Sequence, residues 1–138
     1  NVGRANLMNS YFANTGGGAI VMGLMGTGTP DYADTQSSHG TWLEVGNANA
    51  PTYSGTRKTP VFSSATSANP SVLATSSAVT FSMTSSGTVA GAFINVGGST
   101  AIDNTTGTLF SIGAFTAGSK TVTSGDSINV SYTLSAAG

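Results

Sequence analysis

Two hydrophobic periods divide the chain. In "NVGRANLMNSYFANTGGG" the apolar residues Leu7, Met8, Tyr11 and Phe12 recur at i, i+1, i+4 and i+5, and Gly16 to Gly18 then supply a stop. That spacing predicts one short N-terminal helix over residues 1–15. A helix of about ten residues is marginal on its own, since isolated helices below roughly 12 residues rarely persist in water. Its apolar face must dock on something.

From residue 19 the period shortens to two. "AIVMGLM" is a short apolar run bounded by glycine-rich punctuation, which predicts a strand buried on both faces. "TWLEV" and "TPVFSS" are further strand candidates, and "AVTFSMT" puts Val79, Phe81 and Met83 on one face. "GTVAGAFINV" and "GTLFSIGAF" follow. The last segment, "KTVTSGDSINVSYTL", reads as a hairpin: Val122 closes one strand, Ser124-Gly125-Asp126 turn the chain, and Ile128 to Leu134 form a core-facing strand. Turn signals recur at "SSG", "GGST", "NTTG", "AGS" and "SGD", near the 8–12 residue spacing of sandwiches and barrels. The expected class is mainly β: an antiparallel, jelly-roll-like β-sandwich with one short N-terminal helix, residues 1–138 forming a single domain and 1–15 its helical arm.

Composition changes what that fold is expected to do. Only 7% of residues are charged, against about 25% in typical soluble domains, and Ser, Thr, Asn and Gly take their place. Hydroxyls keep the outward strand positions hydrated and are far cheaper to desolvate than charges. Such a surface suits a subunit held among neighbours. The four cations, Arg4, Arg57, Lys58 and Lys120, form no stripe that would neutralise phosphates, so no nucleic-acid partner is expected. The longest apolar run is far short of the roughly 20 residues of a membrane helix. The absence of cysteine removes disulfides and thiolate metal sites.

The chemistry-bearing residues are few. His39, in "TQSSHGTW", lies near Ser37, Ser38, Asp31 and Asp34. A triad needs a rigid scaffold and an oxyanion hole, which a loop stretch does not offer, so His39 reads as an exposed loop histidine. The five acids, Asp31, Asp34, Glu44, Asp103 and Asp126, are scattered over turns and suggest no carboxylate pair. Asp31 and Asp34 lack the dense D-x-D-x-D-G pattern of a calcium loop and read as turn formers. "GGG" and "GTGTP" lack the Lys-Ser/Thr ending of a phosphate loop. No catalytic residue, metal or cofactor is expected. The remaining candidates are aromatics and cations. Tyr32, Trp42 and Tyr53 on loops would make a platform for sugars or protein partners, or else cover the open end of the sandwich. The doublet Arg57-Lys58 would pair with a neighbouring subunit's acid or guard an edge strand.

The order of these motifs resembles a group of small tailed-phage virion proteins, of tail-fibre or capsid-decoration type. These open with a helix like "NxLLxxxF-GG" and continue through "GTEV" and "GYARxxVTF" to "GALTxxKTVxxGDTL". The matching pieces here are "NLMNSYFANTGG", "IVMGLMGTGTPDYADT", "TWLEVG", "YSGTRKTPVF" and "GTLFSIGAFTAGSKTVTSGDSINVSYTL". Where the group carries a Trp-containing strand, this chain has "GTVAGAFINVGGST", with Phe93 and Val96 expected to fill that core position.

The resemblance implies a non-enzymatic β-sandwich subunit of a phage particle. The expectation is a capsid decoration or cement protein at the capsid surface, a homotrimer bound to the major capsid protein. Leu7, Met8, Tyr11 and Phe12 would anchor the contact, with Arg57 and Lys58, unless those four residues pack inside their own domain. The alternative is a tail or fibre module that binds host-surface glycans through Tyr32, Trp42 and Tyr53.

Overall fold

The computed structural model describes residues 2–13, 18–38 and 42–138, and it is mainly β, with antiparallel sheets and one short N-terminal helix. Helix α1 spans Val2–Met8 and widens into a π-helical turn over Asn9–Ala13. The strands are β1 (Ile20–Met25), β2 (Glu44–Val45), β3 (Ser71–Ala74), β4 (Val79–Ser82), β5 (Gly87–Val89), β6 (Gly91–Val96), β7 (Thr108–Ala114), β8 (Lys120–Val122), β9 (Ser127–Val130) and β10 (Thr133–Ala136).

Their pairing is nested. β6 pairs with β7, β5 with β8, β4 with β9 and β3 with β10, all antiparallel. The second half of the chain is thus one long ribbon folded back on itself, with its tip at residues 97–107. Bending a four-pair ribbon of this kind into two layers is the jelly-roll solution to the edge problem. The hairpin expected at "KTVTSGDSINV" is not one. β8 and β9 bond to different partners, so Ser124-Gly125-Asp126 is a corner where the ribbon changes direction. Gly125 has φ of 98°, a conformation that favours glycine, and the Asp126 carboxylate accepts from the Thr123 backbone N–H at 2.8 Å. The last strand is also divided, since β9 ends at Val130 and β10 begins at Thr133.

β1 enters beside the ribbon and gives a four-stranded sheet in the order β2-β1-β6-β7. All six β1 residues are buried, as its unbroken apolar run requires. Ile20, Met22 and Leu24 face the main core with Val45, Leu73, Phe81, Val89, Ile94, Val96, Val122 and Val130. Met25 faces the other way, into a second cluster with Trp42, Ala90 and Phe93. Gly23 lies directly against the Phe93 ring, and any side chain there would collide with it.

The alternation in "AVTFSMT" holds: Val79, Phe81 and Met83 are buried, while Thr80 and Ser82 face solvent. "TPVFSS" forms no strand but is stitched on by a bridge between Phe62 and Thr75. A bulge between Ile94 and Asn95 pairs them with Ser111 and Leu109, which leaves Phe110 as the extra residue. Its ring is re-aimed at the helix, 4.7 Å from the Phe12 centroid and 5.9 Å from that of Tyr11.

The helix docks on the chain's own core. Ala5, Met8 and Phe12, at i, i+3 and i+7, form the buried face. Leu7 lies about 100° round the helix from Met8 and is 71% exposed. Arg4 ties the helix to the end of the ribbon through the Gly138 carbonyl and the Asn69 side chain.

Candidate functional site

Glu44 and Arg57, the residues that carry most of the buried charge, form a single knot. Glu44 sits in β2, one of only two residues in that strand. Its carboxylate accepts two bonds from the Arg57 guanidinium, at 2.7 Å from Nε and 2.5 Å from Nη2, and both side chains are sealed from solvent. Arg57 Nη1 also donates to the Ser99 carbonyl at 3.0 Å and Nη2 to the Asn104 carbonyl at 2.8 Å. The Asp103 backbone N–H donates to Glu44 Oε2 at 3.1 Å. The knot therefore clamps the tip of the ribbon, residues 97–107, against β2. The guanidinium also lies 5.3 Å from the Phe93 ring centroid, within cation–π range.

The expectation that Arg57 pairs with a neighbouring subunit is thus corrected: its acid lies in the same chain. The reason is bidentate geometry. A planar fork against a carboxylate, with further donors and acceptors completing both groups, is the arrangement in which a charge pair tolerates burial. Such a pair holds structure and is inaccessible to any substrate. Lys58, the other half of the doublet, donates to the Ser54 carbonyl at 2.9 Å and lies 5.7 Å from the Tyr53 centroid.

The loop aromatics divide. Trp42 is fully buried against Phe93, with centroids 4.8 Å apart, and Tyr53 packs edge-on to Phe81 at 5.0 Å. Neither can present a face to a ligand, so two of the three platform residues are core. Burial, helped by the nearby Glu44 carboxylate, pushes the Tyr53 phenol above its ordinary pKa of 10.0. Tyr32 is the opposite case and is completely exposed. It stands on a tight turn in which Asp31 accepts from the Ala33 N–H at 2.9 Å and Asp34 from the Asp31 N–H at 2.7 Å, the turn-forming role expected of these acids. A shallow pocket of about 400 Å³ lies beside it, lined by Pro30, Asp31, Asp34 and the β7 residues Leu109 to Ile112.

Of the proposed anchors, Met8 and Phe12 are core residues, Tyr11 is half-buried against Phe12 and Phe110, and Leu7 is free. For Met8 and Phe12 the competing expectation, packing inside their own domain, is the one that holds. Phe93 and Val96 are both buried, but on opposite faces of β6. His39 lies outside the described residues. Among the described residues no group of three or more His, Cys, Asp or Glu side chains could hold a metal ion, and no helix is long and apolar enough to cross a membrane.

Two surface features remain that sequence reasoning missed. Val2, Leu43, Val61 and Phe110 are large exposed apolar residues. An open slot of about 500 Å³ runs between β7 and β9. The sequence gives no signal for the slot, because it arises from strands distant along the chain.

Fold and site together define a charge-poor, antiparallel β-sandwich-like protein whose polar centre is structural. The chain matches no family model, no curated protein and no solved structure.

Proposed function

We propose that this chain is a non-enzymatic structural subunit of a tailed-phage particle that decorates the capsid, binding the major capsid protein and cementing its lattice as a homotrimer. The observation that carries the reading is the surface. With 7% charged residues, the outward positions are hydroxyls, amides and isolated apolar side chains, which can be buried at a junction for little desolvation cost. The motif order and the nested β ribbon support the same reading, since jelly rolls are common in capsid proteins. Repetition around a lattice converts modest contacts into avidity. The exposed anchor is Leu7, because Met8 and Phe12 are committed to the core.

A second reading, a tail module that binds host glycans, is favoured by Tyr32 alone, fully exposed beside a shallow pocket. Imaging of particles carrying a tagged copy separates the two. Density over capsid junctions is expected; density at the tail transfers the argument to Tyr32, and absence from the particle refutes both. The non-enzymatic assignment fails if His39→Ala together with Asp31→Ala abolishes function while the protein remains folded.

A further inference from the structure

The open slot beside β7 and β9 is a gap in the side of the core. One wall is the inner face of the sheet: Ala92 and Gly113 are register partners on β6 and β7, and Ser111, two residues from Gly113, shares their face. The opposite wall is Ile128 and Val130 of β9, continued by Tyr132. Phe115 and Tyr132 belong to the lining and are only half-buried. The slot is therefore a largely apolar hole of about 500 Å³ with two partly covered aromatic rings, roomy enough for one further aromatic side chain.

Tyr32 is the matching knob. Among the described residues it is the one large hydrophobic side chain that is completely exposed. Its turn is held by the two carboxylate bonds of Asp31 and Asp34 and by the Asp34 N–H, which donates to the Asp31 carbonyl at 3.0 Å. A tyrosine presented on a fixed turn loses little conformational freedom on burial, which is why tyrosines anchor interfaces. This one does not face the slot of its own chain. The turn borders β7 on the side of the second cluster, where Leu109 and Ile112 pack, whereas the slot opens on the main-core side, so β7 stands between them.

Charge agrees with shape. Lys120 is the one charged residue lining the slot, and it is exposed, with no hydrogen bond or ion pair among the described residues. The other cations are engaged within the chain: Arg4 with Gly138 and Asn69, Arg57 with Glu44, Lys58 with Ser54. Next to Tyr32 stands the exposed carboxylate of Asp31. The knob thus brings an anion to a rim that offers a cation.

We propose that Tyr32 of one copy of this chain inserts into the slot of the next, against Phe115 and Tyr132, with its Asp31 carboxylate facing Lys120 at the rim. Knob and slot are unlike surfaces, so the contact is heterologous, the kind that closes into rings. The inference deepens the homotrimer reading and rests on it only for the number of copies.

The test is sedimentation equilibrium of the full chain over a concentration series reaching about 1 mM, the weak end of specific affinity. The unaltered chain should associate to a trimer. Tyr32→Ala should weaken association about tenfold or more, as the loss of an interface anchor does. Asp31→Asn, which keeps a side-chain oxygen for the Ala33 N–H, and Lys120→Glu should each weaken it about two- to fivefold. Gly113→Phe puts a ring inside the slot and should abolish association; a Cβ there meets nothing within 4 Å, so the fold is preserved. Mixing Tyr32→Ala with Gly113→Phe is the sharpest arm. The first variant keeps its slot and the second its knob, so two chains that are monomeric alone should form one-to-one pairs and stop there.

A trimer that persists in both variants overturns this contact and leaves the homotrimer reading standing on another surface. Failure of the mixed variants to pair, or a chain that stays monomeric throughout the series, overturns the contact outright. A two-copy assembly lost in both variants supports the contact and overturns the number three. None of these results depends on whether the protein is found on a capsid.

Discussion

Replacing Arg57 with leucine tests whether the buried knot organises the fold. The substitution removes the two bonds to Glu44, at 2.7 and 2.5 Å, and leaves that carboxylate sealed from solvent without its guanidinium. Breaking a buried ion pair by deleting one partner costs about 3–5 kcal/mol, because the remaining charge is uncompensated. The Ser99 carbonyl loses a donor as well, and Asn104 loses one of two. Against a total stability of about 5–15 kcal/mol this is a large share. For a chain of this length the unfolding entropy is roughly 0.3 kcal/mol per kelvin, so the melting temperature should fall by about 10–17 °C.

Urea unfolding can be followed through Trp42, the one tryptophan, which is buried against Phe93. The double variant Arg57→Leu with Glu44→Leu removes the stranded charge and should recover about 1 kcal/mol or more of the loss. A single-variant cost below about 1 kcal/mol, the range of exposed pairs, would refute the reasoning. So would a double variant that costs the full sum of the two singles.

The N-terminal helix separates surface from core within one turn. Phe12→Ala should cost about 3–5 kcal/mol, whereas Leu7→Ser should leave the urea midpoint nearly unchanged and weaken particle binding; the reverse pattern would sink the docking described for Met8 and Phe12. Tyr53 makes a pH prediction. Its hydroxyl is buried and makes no hydrogen bond among the described residues, and its pKa is raised by burial. The unfolded chain therefore loses the phenolic proton near pH 10 while the folded chain keeps it. Stability is unaffected below that pH and falls above it, by up to about 1.4 kcal/mol per pH unit. Tyr53→Phe should remove that part of the alkaline loss and leave stability at pH 7 unchanged or raised by about 1–2 kcal/mol; a clear destabilisation at pH 7 would show an unrecognised partner for the hydroxyl.

Local features were legible because their causes are local. The double burial of "AIVMGLM", the one-sided strand at Val79, Phe81 and Met83, and the turn at Gly125-Asp126 each follow from a few neighbouring residues. The helix was legible as an element, but its buried face was drawn through Leu7, whereas Ala5, Met8 and Phe12 form it. Leu7, Met8, Tyr11 and Phe12 span about 140° of the helix circumference, and the ring positions of Phe62 and Phe110, fixed from far along the chain, select which part of that arc is covered.

The remainder depended on partners that alternation does not name. A period of two says which side of a strand is buried, and nothing about which strand lies beside it. So the segment around Ser124-Gly125-Asp126 read as a hairpin, although β8 and β9 go to β5 and β4. In the same way Glu44, a lone acid, and Arg57, half of a cationic doublet, carried no mark of belonging together. By itself the sequence determined the class of fold, the sites of its bends and the scarcity of charge on its surface. The tertiary structure alone decided the pairing, the withdrawal of Trp42, Tyr53 and Arg57 into the interior, and the open slot beside β7 and β9, because each requires residues far apart in the chain to arrive at one place.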